Sequence, residues 1–206
     1  MAIEERYDGI LRAAEDVIGR RGYHQASIRE IARAAGLSLA GLYHYVGGKE
    51  EVLFLILDRS LETLIGALDA ALREASTPDA RLLALVRTHL DFGFGHASAL
   101  KIVNRDWEAL PEPRRAEIAA KRNAYVARGL AVLRDLDPHG RSGDELLSAT
   151  NLLLGMLNGI ARRPFLRSSD DVRTLAREVS RLFLYGFLDR AGVGGPAPAV
   201  GTEHDR

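Results

Sequence analysis

The sequence contains no cysteine, which excludes disulfides, thiolate metal sites, iron–sulfur clusters and cysteine nucleophiles. A reducing compartment fits that composition. No apolar run approaches the roughly 18 residues a membrane span needs. The opening residues, Met1-Ala2-Ile3-Glu4-Glu5-Arg6, carry acids and no apolar core, so no signal peptide is expected. Net charge is absent as well, with 28 Lys and Arg against 28 Asp and Glu, so whole-chain charge neither demands nor forbids an anionic partner. Also missing are a Gly-rich phosphate loop, a serine-nucleophile motif, a paired-carboxylate motif and any useful strand alternation. What is present is 206 residues, 47% hydrophobic and 27% charged, enough to bury a core and typical of a soluble, cytoplasmic globular protein.

Apolar residues recur at helical spacing almost throughout. Tyr7, Ile10, Leu11, Ala14, Val17 and Ile18 form one face of a first helix that stops at Arg20-Arg21-Gly22. Ser27-Ile28-Arg29-Glu30 is a capping box for a short second helix ended by Gly36. Ser38 caps a third helix, expected to turn Leu42, Tyr43 and Val46 inward before Gly47-Gly48. Lys49-Glu50-Glu51 opens a long helix through Leu72. Thr77-Pro78-Asp79 starts the next, which is expected to fray at Phe92-Gly93-Phe94-Gly95. A segment over about Ala97–Leu110 follows, then a long helix from Pro113 to the turn at Asp137-Pro138-His139-Gly140. Ser142-Gly143-Asp144-Glu145 boxes a helix through Ile160. After Pro164 the last helix starts within Ser168–Asp171, and from Ala191 on Gly, Pro and polar residues suggest a disordered tail. The expected fold is all-α with about nine helices.

Residues 27–46 carry the function signal. Two short helices joined by Ala35-Gly36-Leu37-Ser38 have the layout of a helix-turn-helix, whose second helix enters the DNA major groove. Leu39, Ala40 and Gly41 are small enough for close backbone approach, and Tyr43, His44 and Tyr45 have polar tips that reach phosphates. Charge is focused here: Arg20, Arg21, Arg29, Arg33 and Lys49 face Glu30 alone, a net +4, whereas residues 1–60 hold eight basic and nine acidic groups. Tyr43 serves equally as core or phosphate contact. Lys49 reads either as a solvated lysine or, with the helix N-terminus behind it, as a phosphate site.

The run from Ile10 to Leu53 resembles the DNA-binding domain of the tetracycline-repressor (TetR) family. Arg21-Gly22-Tyr23, Ser27 through Ala32, Ala35 through Ser38, Leu42 through Tyr45 and Lys49 through Leu53 match in order and spacing. Ala40, Gly41, Val46 and Gly47-Gly48 depart from the family pattern, which usually has Gly, Thr or Ser, Phe, and Pro-Ser there. The chain divides most naturally near Gly47-Gly48 or within the long helix after it, and the resemblance implies a helix-turn-helix domain at 1–48, a helical ligand-binding and dimerisation domain at 49–190, and a tail at 191–206. It implies a homodimeric repressor on a palindromic DNA operator, released by a small apolar or amphipathic effector, with no enzymatic activity, no cofactor and no metal. Its expected DNA-binding residues are Ser27, Arg29, Ser38, Leu39, Ala40, Gly41, Tyr43, His44, Tyr45 and Lys49.

For the ligand, Phe92, Phe94, His96, Asn104, Trp107 and Tyr125 are the candidates, with Phe92–Gly95 as an adaptable gate. The stretch Asp106–Leu110, with Arg114, Ile118 and Arg122–Tyr125, is similar to acyl-CoA-sensing members of the family. Arg162 and Arg163 would then be phosphate partners, or else a solvated basic pair. For the dimer, Gly155 and Gly159 lie four apart on one helix at a cost of about 1 kcal/mol each. They permit a partner's close approach, pack against the chain's own long helices, or leave room for ligand. Leu175, Leu182, Phe183 and Gly186 extend that surface, and the resemblance implies a four-helix bundle between subunits. His89, Asp91 and His96 do not share a helix face and are not read as a metal site. A small helical enzyme and a protein-interaction module are the competing readings.

Overall fold

The computed structural model describes residues 2–137, 140–161 and 168–188; the expected tail at 191–206, Pro164 and the centre of the 137–140 turn lie outside them. Helix α1 (Ala2–Arg21) buries Ile10, Leu11, Ala14, Val17 and Ile18 along one stripe. Helix α2 (Ile28–Ala34) opens on a complete capping box. Glu30 N–H donates to Ser27 Oγ at 3.2 Å, and Ser27 N–H donates to Glu30 Oε2 at 3.0 Å. It closes with Gly36 N–H on Arg33 O at 3.1 Å and Leu37 N–H on Ala32 O at 2.9 Å. This two-bond turn holds Gly36 at φ +66°, a region glycine reaches without steric cost. Helix α3 (Leu39–Tyr43) starts from Ser38, whose Oγ accepts from Gly41 N–H at 3.0 Å.

Helix α4 (Lys49–Glu74) follows, then α5 (Pro78–Gly95), whose Thr77 cap and first-turn proline are as expected. The expected fraying at Phe92–Gly95 is not found, because α5 stays helical to Gly95. Gly93 is instead a packing residue: a Cβ there would sit 2.5 Å from Ala161 Cβ, so the helices meet at backbone distance. The 97–110 segment divides into α6 (Ala97–Arg105) and a 3₁₀ turn at Trp107–Ala109. Helices α7 (Arg114–Leu136), α8 (Gly143–Ala161) and α9 (Ser169–Leu188) complete an all-α chain, with no strand among the described residues. Ser142 with Glu145 forms the second capping box, and Ser168 with Asp171 makes an equivalent pair ahead of α9.

Two apolar cores result. One joins α1–α3 to the first half of α4 through Ile18, Ile31, Leu42, Leu53 and Leu57, and it also takes in Ile102, Val103, Leu110 and Ile118. It therefore runs across residue 48, one of the two places the sequence offered for a division. The other packs the second half of α4 with α5, α7, α8 and α9 through Leu68, Leu85, Val132, Leu153 and Val179. No helix among the described residues is long and apolar enough to cross a membrane.

Candidate functional site

The α2–α3 unit rests on Leu42, which is fully buried, and presents the rest of α3 outward. Ser38, Ala40, Tyr43 and His44 are exposed, while Leu39, Gly41 and Tyr45 are half-buried. Tyr43, expected to turn inward, is 50% exposed, since helical spacing from Leu42 carries the next residue off the core side. The Ser27 hydroxyl is engaged in its capping box, including donation to Glu30 Oε2 at 3.0 Å. Ser38 uses its oxygen to accept from Gly41, which leaves its O–H available. Arg21 pairs with Glu30 at 2.9 Å. Lys49 is not the freely solvated lysine of one expectation. Its ammonium donates to Tyr23 O at 2.9 Å and Ala26 O at 3.0 Å and lies 4.3 Å above the Tyr23 ring. It fastens α4 to the α1–α2 loop instead of standing free. Arg20, Arg29 and Arg33 remain as exposed cations with no ion pair among the described residues. The Gly47-Gly48 link is held too, because Gly47 N–H donates to the Glu51 carboxylate.

The six expected ligand residues do not converge. Phe92, Phe94 and His96 border a cleft of about 550 Å³ between α1 and the α5–α6 junction, with Arg12, Glu15 and Arg59 in its wall. Phe92 is itself buried, 5.0 Å from the His96 ring. Only Asn104 and Tyr125 line the cavity between the middle helices, whose volume is about 210 Å³. Its apolar wall is Leu61 and Leu64 of α4, Val103 of α6, Val126 of α7 and Leu154 of α8. Its polar wall is His89, Asn104, Arg122, Tyr125 and Asn158, with Asn151 and Gly155 also in the lining. Trp107 lies outside it and stacks under Arg122 at 4.8 Å. Arg162 and Arg163 lie outside the described residues.

The polar wall is a directed network. Asn104 Nδ2 donates to Leu100 O at 3.0 Å and to Asn158 Oδ1 at 2.8 Å. Asn158 Oδ1 therefore accepts, so His89 Nε2, 3.2 Å away, is the protonated ring nitrogen. His89 Nδ1 then accepts from the Tyr125 hydroxyl at 2.9 Å. Burial pushes the His89 pKa down to about 4 and raises that of Tyr125, so both are neutral near pH 7. His89, Arg122 and Asn158 are absent from the expected ligand set. Their signal was a polar residue interrupting an apolar helical face, which sequence alone does not separate from an ordinary core polar group. Among the described residues no group of three His, Asp or Glu could hold a metal ion.

The cavity adjoins the link between the cores. Val103 and Asn104 line it, while the next residues hold α1: Arg105 Nη2 donates to Ile18 O at 2.9 Å, and Asp106 Oδ1 accepts from Tyr23 N–H at 3.3 Å. Of the expected dimer residues, Leu175 and Phe183 pack against the chain's own core. Leu182 is 69% exposed beside exposed Gly186 and Tyr185. On α8, Gly155 and Gly159 share a face with Leu152 and Met156, which are 73% and 41% exposed. A Cβ on either glycine would meet nothing within 4 Å, so neither packs against the chain's own described helices.

Residues 10–56 match the profile of the bacterial regulatory proteins of the tetR family, and residues 75–162 match that of a tetracyclin repressor-like C-terminal domain. The chain is 37% identical over 89 residues to the HTH-type transcriptional activator FasR of Mycolicibacterium smegmatis, which covers 43% of this chain and 41% of FasR. The match spans about two fifths of the length of such curated relatives. In three dimensions it is similar to PfmR, a TetR family transcriptional regulator from Thermus thermophilus. The TM-score is 0.75 at 30% identity, over 88% of this chain and 96% of PfmR. It is also similar to AibR, solved in complex with isovaleryl coenzyme A and operator DNA. There the TM-score is 0.73 at 26% identity, over 89% and 97% of the two chains.

Proposed function

Because the chain belongs to the TetR family of bacterial transcriptional regulators, we propose that it is a ligand-responsive repressor acting in the cytoplasm on a palindromic operator as a homodimer. The observation that carries this reading is the outward face of α3, with Ser38, Ala40, Tyr43 and His44 exposed, together with Arg29 and Arg33 of α2, exposed and in no ion pair among the described residues. The small residues let backbone approach the groove floor, and the arginines and tyrosine position the phosphates. Twofold pairing through the Leu152, Met156, Leu182 and Tyr185 surface would set two recognition helices about 34–36 Å apart, one turn of DNA. Those exposed side chains support pairing, since they leave an apolar surface uncovered on one subunit.

The effector belongs in the α4–α8 cavity. At about 210 Å³ it takes a short acyl group, not a whole coenzyme. AibR, described with isovaleryl coenzyme A and operator DNA, supports an acyl-type effector for its relatives. A ligand shifts DNA affinity only if it favours one conformer. Two elements reach from the cavity to the DNA-binding core. The first is α4, through Leu61 and Leu64. The second is α6, whose Arg105-Asp106 end holds Ile18 and Tyr23. Moving either changes the spacing of the two α3 helices.

The test is selection of genomic fragments by the purified protein, followed by footprinting. Recovered fragments should share an inverted repeat, protected as one block. Fragments with no common sequence, or one unpaired half-site bound by monomer, would overturn the reading.

A further inference from the structure

We propose that the effector is a small organic acid, seated by its carboxylate on the Nε–Nη2 edge of Arg122. This rests on the reading of the α4–α8 cavity as the effector site. Three arginines of this chain frame the argument. Arg128 holds Asp69 through Nε at 2.6 Å and Nη2 at 2.8 Å. Arg105 holds Asp106 through the same two nitrogens, at 3.0 Å and 2.8 Å. Arg122 is more buried than either, yet Nη1 alone is engaged, on Val103 O at 2.5 Å. Its Nε and Nη2 have no hydrogen-bond partner among the described residues.

That edge is one of the two through which a guanidinium meets a carboxylate with two parallel bonds, and the other, Nη1–Nη2, is already engaged at Nη1 by Val103 O. The group is also held in place, stacked 4.8 Å over Trp107 and tied to the Val103 carbonyl, so little entropy is lost when it binds. Burial weakens its hold on the proton, and Glu108 offsets this only through space. Among the lining residues Arg122 is the one charge, since His89 is neutral. Four of the other polar residues are tied to one another: Asn158 Oδ1 accepts from Asn104 and His89, and the Tyr125 hydroxyl donates to His89. A cavity with one cation that no carboxylate touches, and a wall of Leu61, Leu64, Val126 and Leu154, suits a carboxylate with a short apolar tail. At about 30 Å³ per water, its volume equals roughly seven waters, the size of an acid of about five carbons.

The probes are pentanoate, pentanamide, pentan-1-ol and pentanoyl-coenzyme A, titrated into the full chain by calorimetry and into its operator complex by gel shift. Pentanoate should bind and release DNA. The amide and alcohol should bind about ten- to a hundredfold more weakly, the value of a charge-assisted hydrogen bond. Arg122→Gln should lose pentanoate by a similar factor while its alcohol affinity stays put, and Arg122→Lys should recover part of the loss. Equal binding of acid, amide and alcohol by the wild-type protein overturns the carboxylate assignment without needing any variant to fold. So does tighter binding of the thioester than of the acid, or no binding of any probe. Val126→Trp, which fills the cavity, separates the two failures. If it abolishes binding that Arg122→Gln spares, only the carboxylate is wrong. If binding survives both, the effector site itself lies elsewhere.

Discussion

His89 is 3% exposed and has both ring nitrogens engaged, so its role is set by who accepts and who donates. Its folded pKa near 4 compares with 6.5 for an unperturbed histidine. Above about pH 6.5 the ring is neutral in both folded and unfolded chains, and pH has no leverage through it. As pH falls from about 6.5 towards 4, the unfolded chain takes up a proton that the folded chain refuses. Stability then drops, by up to about 3 kcal/mol at the acid end. His89→Gln removes this component. Urea midpoints at about pH 7 and pH 4.5 should lie closer together in the variant than in the wild type, and an unchanged gap would assign the acid sensitivity to other groups. Lys49 teaches a related lesson. A lysine at a helix start reads as a free cation in sequence, yet here its ammonium donates hydrogen bonds to two backbone carbonyls of the α1–α2 loop.

Among whole elements, the contact of α5 with α8 is the sharpest case. Gly93 interrupts Phe92-Gly93-Phe94-Gly95, a string that reads as flexible because glycine weakens an isolated helix. Inside the fold the same residue lets two helices touch, and a methyl there would lie 2.5 Å from Ala161 Cβ and 3.0 Å from Leu100 Cδ2. Gly93→Ala should therefore destabilise by about 1–3 kcal/mol, the cost of overpacking, in spite of alanine's better helix propensity. Denaturant melts check this; a stabilised variant would mean that α8 shifts freely. The capping boxes behaved oppositely. Ser27 with Glu30 and Ser142 with Glu145 were legible because every atom involved lies within four residues.

At the level of the molecule, a Cβ on Gly155 or Gly159 would meet nothing within 4 Å among the described residues, and Leu152, Met156, Leu182 and Tyr185 are exposed on α8 and α9. Gly155→Leu with Gly159→Leu should leave the monomer folded, with wild-type helix content by circular dichroism. If the proposed homodimer pairs through this face, sedimentation should show it split, and operator binding should fall to that of a single half-site. A variant still dimeric and fully bound would move the interface off this face. The proposed communication between effector and DNA belongs to the same scale, since Val103-Asn104 line the cavity and the next two residues, Arg105-Asp106, hold α1 and Tyr23.

Local chemistry in the sequence was enough for the helices, their caps, the turn at Gly36 and the family likeness, because each depends on residues a few positions apart. It also sufficed to put charge around α2 and α3. Only the tertiary structure decided which of the polar residues meet. Phe92, Phe94 and His96 parted from Asn104 and Tyr125 because α5 stays straight past Gly93 and carries them towards α1. His89, Arg122 and Asn158 come from three helices, up to 69 positions apart. No spacing rule links such residues; the packing of α4 through α8 brings them to one cavity.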